Sequence, residues 1–213
     1  MVAAYDSHVK YSGANHKSTR IVAVAGSLRA GSLNRRLITA AHRLAPPELA
    51  LTVFDDLAGV PLFNEDLEAS WPDGPGAVRE LRAQAIAADG VLIATPEYNQ
   101  SIPGVMKNVV DWLSRPDDAA VLDGKPVAIM GATTGPWGTR YAQKELRHAL
   151  TAAGALVMPQ PMLFLPQAEG AFDDAGRLTD PAVARRLGQL LEAFQEWIGT
   201  VTPMRSAVAA AGA

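Results

Sequence analysis

The 213-residue chain contains no cysteine. Disulfides, thiolate catalysis, iron-sulfur clusters and cysteine-based zinc sites are therefore excluded, and any redox chemistry has to come from a bound cofactor. Histidine is sparse: His8, His16, His42 and His148 stand without metal-ligand spacing and read as surface residues, so no metal is assigned. No sign of charge dominates. The formal net charge is -3, the pI is near 5.8 and no long run of lysine or arginine occurs, which leaves no electrostatic footprint for nucleic acid. No apolar stretch is long enough to cross a bilayer, and the first twenty residues lack the continuous apolar core of a secretory signal, so the expected location is the cytoplasm. Two common phosphate motifs are also missing, the G-x-G-x-x-G fingerprint and the lysine-containing Walker sequence.

What is there suits one globular domain, with 48% hydrophobic and 19% charged residues. The domain is expected over residues 21–200, with residues 1–20 and 201–213 as poorly ordered extensions. Short apolar runs read as five strands: Ile21 to Ala25, Leu51 to Phe54, Val91 to Ala94, Val127 to Gly131, and Leu156 to Phe164 with a proline-broken middle. Helical spacing recurs over Leu33 to Leu44, Gly76 to Ala88, Gly104 to Ser114, Thr139 to Ala153 and Pro181 to Gly199. Regular βα alternation predicts an α/β three-layer sandwich around a five-stranded parallel sheet of order 2-1-3-4-5. No internal repeat is present, and Trp71 to Gly76 and Gln167 to Gly176 read as loops. Such sheets bind ligands beyond the carboxyl ends of their strands, which directs attention to the loops after strands one, three and four.

The first of these loops runs from Gly26 to Asn34 and leads directly into a helix. Free backbone N–H groups and the positive end of the helix dipole favour an anion there; Ser27, Ser32 and Asn34 add donors and Arg29 adds charge. The alternative is that Ser32 caps the helix and Arg29 is a solvated charge. The second loop, Thr95 to Gly104, is constrained by Pro96 and Pro103. The backbone of Glu97 to Asn99 can pair with a uracil-like edge, with the Asn99 side chain helping and Tyr98 as an aromatic wall. Alternatively, Asn99 or Ser101 caps a turn and Tyr98 packs against a neighbouring subunit. Glu97 is read as a hydrogen-bond acceptor, without a role in proton transfer. The third loop, Ala132 to Thr139, lies at the same end of the sheet.

Together these segments resemble the NADPH-dependent FMN reductase family, which includes chromate, quinone and azo reductases of the flavodoxin-like fold. Gly26 to Leu37 matches the pattern G-S-x-R-x-x-S-x-N-x-x-L, Pro96 to Asn108 matches P-E-Y-N-x-S-x-P-G-x-x-K-N with Asp111 and Trp112 beyond it, and Gly124 to Val127 matches G-K-P-V. A glycine loop and an arginine-bearing helix follow through Arg147, Pro61 to Leu67 resembles the family's loop after strand two, and the likeness runs from about Ile21 to Trp197. Three short motifs in register are specific where each alone is weak. The resemblance implies that Ser27, Arg29, Ser32 and Asn34, with Leu33 beside them, hold the FMN phosphate. It implies that Pro96, Glu97, Tyr98 and Asn99 line the isoalloxazine, which Thr133, Thr134 and Gly135 meet from the third loop. The family often has Ser-Pro-Gly at those last three positions, so contacts at Thr134 depart from its pattern. Trp137 and Arg140 lie in the matching segment, with Trp137 read as a packing or interface residue.

The implied activity is an oxidoreductase that takes hydride from NADPH or NADH and passes it to quinone-like, azo, metal-oxyanion or flavin acceptors by a ping-pong mechanism. The cofactor carries that chemistry and no catalytic triad is required. A homodimer or homotetramer is implied as well, and the helix Gly104 to Ser114 has enough apolar residues for either a core or a subunit contact. Two rivals are a flavodoxin-like electron carrier and a non-catalytic flavin-binding protein. Arg29 and the modest net charge argue against the carrier, whose phosphate loop usually lacks arginine and whose surface is strongly acidic.

Overall fold

In the computed structural model, which describes residues 18–70, 75–116 and 119–211, the run Ile21 to Ala25 forms most of β1 (Thr19–Ala25) and is buried throughout. Its side chains nevertheless alternate. Ile21, Ala23 and Ala25 join one core, and Val22 and Val24 join a second core on the opposite face. The order continues α1 (Leu33–Leu44), β2 (Leu49–Phe54), α2 (Glu65–Ser70), α3 (Gly76–Ala87), β3 (Gly90–Ala94), α4 (Gly104–Leu113) and β4 (Pro126–Ala132). It ends with α5 (Arg140–Ala152), β5 (Leu156–Val157), β6 (Leu163–Leu165) and α6 (Pro181–Ala211).

All pairings are parallel, in the order β2-β1-β3-β4-β5, with β6 also on β4. Leu37, Ile38 and Ala41 of α1 and Leu187, Leu190 and Phe194 of α6 cover one face. Val78 and Leu81 of α3, Met106 and Val109 of α4, and Leu146 and Leu150 of α5 cover the other. A Cβ on Gly90 would come within 2.8 Å of Phe194, so the bare glycine lets α6 lie directly on the start of β3.

Three boundaries differ from the sequence expectation. The fifth strand is two short segments, because Pro159 and Pro161 between them have no N–H to give to the ladder. Arg147 of α5 steadies the break by donating to the Met158 carbonyl at 2.8 Å, and burial pushes its pKa below the usual guanidinium value. Residues 201–211 continue α6 as helix where an unstructured tail was expected, while Thr19 and Arg20 pair with Leu49 and Ala50 in the sheet. Residues 1–17 and 212–213 of the two expected extensions lie outside the described residues. The short helix α2 was not foreseen. Among the described residues no helix is long and apolar enough to cross a membrane.

Two cations, buried Lys125 and half-buried Arg82, finish helix ends. The Lys125 ammonium, from the G-K-P-V segment, donates to the carbonyls of Ala85 and Ala88 at 2.8 Å each and so closes the C-terminus of α3. Arg82 does the same for α4, donating to the carbonyls of Trp112, Arg115 and Ala119.

Candidate active site

Strand order reverses between β1 and β3, because β2 is added on one side of β1 and β3 on the other, and a cavity of about 250 Å³ opens beyond the carboxyl ends of β1, β3 and β4. Ser27, Arg29, Ser32, Leu33, Asn34, Pro96, Glu97, Tyr98, Thr133 and Thr134 all line it. Ala132 lines it too; an alanine at a strand end gives sequence reasoning no signal. Asn99 and Gly135 do not line it.

At the α1 end the donors outnumber their protein partners. Ser32 is the N-cap, its hydroxyl accepting from the Arg35 N–H at 3.3 Å, so the capping alternative holds alongside any ligand role. Among the described residues, the N–H groups of Leu33 and Asn34 have no acceptor, as expected for a first helical turn. Arg29 donates to the Gly31 carbonyl at 2.9 Å and has no carboxylate partner among the described residues. Ser27 Oγ lies 3.4 Å from Tyr98 Oη, joining the first loop to the second.

Asn34 is spent differently. Its side chain is buried and clasps the end of β4, donating to the Ala132 carbonyl and accepting the Ala132 N–H, both at 2.9 Å. What it still offers a ligand is its second amide hydrogen and its backbone N–H.

The second loop is a two-residue hairpin. Tyr98 and Ser101 exchange N–H···O bonds of 3.1 and 3.0 Å, and Asn99 and Gln100 sit at φ 51 and 59. Positive φ at both central positions is the type I′ geometry, which asparagine tolerates well. Asn99 therefore forms the exposed tip rather than a wall of the cavity. Glu97 bridges to the third loop: its Oε2 accepts from the N–H groups of Tyr141 at 2.8 Å and Ala142 at 3.0 Å. The carboxylate thus closes the N-terminus of α5, whose own N-cap residue, Thr139, makes no side-chain cap.

Behind the cavity, Gly131 lets β4 pass against the Thr95 carbonyl and the Thr139 side chain, where a Cβ would collide with both. Thr133 Oγ1 accepts from the Gly135 N–H at 3.2 Å, and the Gly135 carbonyl takes the Gln167 N–H, so Gly135 is the base of the turn. Trp137 is 73% exposed, and the Arg140 guanidinium lies 5.6 Å from the Phe164 ring centroid; neither lines the cavity. Asn108 and Trp112 also act at a distance. Asn108 accepts from Phe63 N at 2.7 Å, and its amide and the Trp112 indole both donate to the Pro61 carbonyl at 2.8 Å, with Phe63 edge-on to Trp112 at 5.0 Å. These motif residues fix the loop after β2.

The model of the NADPH-dependent FMN reductases matches residues 19–170. The chain belongs to the NADPH-dependent FMN reductase family. It is 41% identical to an NAD(P)H-dependent FMN reductase of Pseudomonas aeruginosa over 84% of this chain and 95% of that protein. It is 36% identical to a quinone reductase of Escherichia coli strain K12, over 85% and 96% respectively. Among solved structures, the flavoenzyme NAD(P)H:(acceptor) oxidoreductase FerB from Paracoccus denitrificans superimposes with a TM-score of 0.77 at 34% identity, covering 85% of this chain and 98% of that one. The flavodoxin-like α/β fold, FMN as cofactor and NAD(P)H as co-substrate come with the family.

The residues present fit FMN. The α1 end combines two hydroxyls, a guanidinium and free N–H groups, a donor set suited to a phosphate dianion. Glu97 is the one carboxylate in the lining, and its Oε2 is already held by two N–H groups. At the other end the N–H groups of Glu97 and Thr134 have no acceptor among the described residues, as a planar ring with acceptor atoms at its edge requires.

Proposed function

We propose that the chain oxidises NADPH or NADH and passes the electrons to small acceptors, quinones first among them, by a ping-pong mechanism. One observation carries the reading: unpaired donors at the N-terminus of α1 share a single cavity with the Pro96–Tyr98 and Ala132–Thr134 walls. When bound, FMN would supply the redox chemistry, namely hydride acceptance from a reduced nicotinamide and two-electron transfer to the acceptor. Ser27, Ser32, Arg29 and the N–H groups of Leu33 and Asn34 hold the phosphate. Pro96 to Tyr98 and Thr133 to Thr134 set the plane of the ring, and the bond from Glu97 to α5 keeps those two walls together. Donor and acceptor use the same open mouth in turn, so each must leave before the other enters. Relatives named as quinone reductases, and a 2-hydroxy-1,4-benzoquinone reductase of Burkholderia at 36% identity, support quinones as acceptors.

A homodimer or homotetramer is part of the proposal. Met106, Val109, Val110, Trp112 and Leu113 of α4 are buried within the chain's own core, so α4 cannot contribute its apolar face to a partner. Among the described residues, Leu28, Leu44, Leu62, Ile86, Trp137 and Tyr141, with Tyr98 at the cavity, are the large apolar groups left exposed for one. Light scattering at a monomer mass would end that part.

The decisive experiment loads the protein with FMN, removes oxygen, adds NADPH and follows the visible flavin band. Rapid bleaching, with colour restored by benzoquinone and parallel double-reciprocal plots, is expected. Flavin that stays oxidised with NADPH and NADH while dithionite bleaches it would overturn the reductase reading.

A further inference from the structure

A second cleft, of about 260 Å³, runs along the solvent side of α1 and meets the first cavity at Ser32, which lines both. Ser32, Arg36, Thr39 and Arg43 fall at successive spacings of four, three and four residues, one helical stripe, with Arg35 beside them. The opposite wall is the turn from Asp174 to Gly176, where the left-handed φ of 73 at Gly176 lets the chain approach the Arg36 side chain. Asp173 and Arg177 clasp each other across that turn at 2.7 Å.

The charges in this cleft are not balanced internally. Arg35 is paired with Asp55 at 3.0 Å, but Arg36 and Arg43 have no carboxylate partner among the described residues. Asp174 is the one carboxylate in the lining and opposes an anion there. Two unpaired guanidiniums on one stripe suit a phosphomonoester, whose oxygens each fork can take in pairs. The stripe also starts at the flavin cavity: Arg36 is about 6 Å along the helix axis from Ser32 and Arg43 about 10 Å further. NADPH and NADH differ by a single group, the phosphate on the adenosine 2′-oxygen, carried at the opposite end of the molecule from the reacting ring.

We propose that the Arg36–Arg43 cleft receives the adenosine 2′-phosphate of NADPH and sets a preference for NADPH over NADH. The inference rests on the reductase reading above. The test compares wild type with the double variant Arg36→Gln/Arg43→Gln, both loaded with FMN, in steady-state turnover of each nucleotide with benzoquinone. The expected result is a kcat/KM for NADPH lower by roughly tenfold or more, the size of a lost charge-assisted contact, with the value for NADH within about twofold of wild type. Asp174→Asn should move NADPH the opposite way, because it removes the opposing charge. In wild type, 2′,5′-ADP should inhibit better than 5′-AMP, and the double variant should lose that difference.

Equal losses for both nucleotides, or no loss for either, would overturn the assignment. Inhibition of NADH turnover by inorganic phosphate as strong as that by 2′,5′-ADP would also overturn it, since the cleft would then take any phosphate. These outcomes differ from failure of the reductase reading, in which neither nucleotide reduces the wild-type flavin.

Discussion

Replacing Asn34 with alanine separates the scaffold role of a motif residue from its presumed ligand role. The side chain is 2% exposed and makes two hydrogen bonds of 2.9 Å to the backbone of Ala132, itself 1% exposed. Alanine leaves a buried N–H and a buried C=O without those partners, each at about 1–3 kcal/mol, so a loss of about 2–6 kcal/mol is expected for the pair. For a chain of this length that lowers Tm by roughly 4–24 °C. Urea unfolding of the flavin-free protein is the assay, with the midpoint falling and the slope unchanged if only native stability is lost. Asn34→Asp sharpens the comparison. One carboxylate oxygen can still accept the Ala132 N–H, but nothing remains to donate to its carbonyl, and a negative charge enters the phosphate cradle. FMN affinity should therefore fall further for aspartate than for alanine, by fluorescence titration. An Asn34→Ala protein with an unchanged midpoint and collapsed FMN affinity would refute the clasp and make Asn34 a ligand contact.

Glu97→Ala should cost about 1–2 kcal/mol in the same unfolding assay, the range for a lost helix cap, while Glu97→Gln keeps an acceptor for the Tyr141 and Ala142 N–H groups and should recover most of it; equal losses for the two would show that charge, not hydrogen bonding, does the work. Arg29→Ala should weaken FMN binding by roughly tenfold or more with little change in stability, because the one hydrogen bond of its side chain among the described residues is an exposed bond to the Gly31 carbonyl; unchanged affinity would mean that the phosphate lies elsewhere. Gly131→Ala should fail to accumulate as folded protein or unfold at a much lower temperature, since the added methyl collides with the Thr95 carbonyl and Thr139; a wild-type Tm would refute that packing. The Asp173 carboxyl is held below its ordinary range by the Arg177 N–H and then its guanidinium, so the clasp is fully present above the usual aspartate value and is lost as pH falls through the depressed one, which carboxyl NMR titration would follow.

Strand and helix order were legible because each β run is short, apolar and bounded, and each helix repeats at three and four. The position of the cavity followed from strand order alone. Less legible were features set by partners distant in sequence. Leu156 to Phe164 read as one strand because its prolines, though visible, do not say whether the pieces on either side still reach β4; both do. Asn99 was expected beside a flavin edge because its type suits one, yet the same residue suits the left-handed tip of a two-residue turn, which is where hairpin closure between Tyr98 and Ser101 puts it. Glu97 was correctly read as an acceptor, but its donors lie 44 and 45 residues away, at the start of α5.

The recurrent polar motif residues divide accordingly. Asn34, Glu97, Asn108 and Lys125 all place side-chain polar atoms on backbone groups of a neighbouring element: Ala132 at the end of β4, the first turn of α5, the loop after β2, and the last turn of α3. Each of those backbone groups lies at an element end or in a loop, where no ladder or helical partner exists, so a side chain has to supply one. The elements so joined include the three whose loops form the cavity. In the proposed function, direct recognition of the phosphate is thereby left to Ser27, Arg29, Ser32 and unpaired N–H groups. A substitution in the clasping set should thus lower stability and FMN affinity together, and a change at Arg29 should lower affinity alone. A double-mutant cycle between Asn34 and Arg29 tests the division: affinities that add mean a clasp acting independently of the phosphate contact, and a large coupling means that both hold the same oxygen atoms.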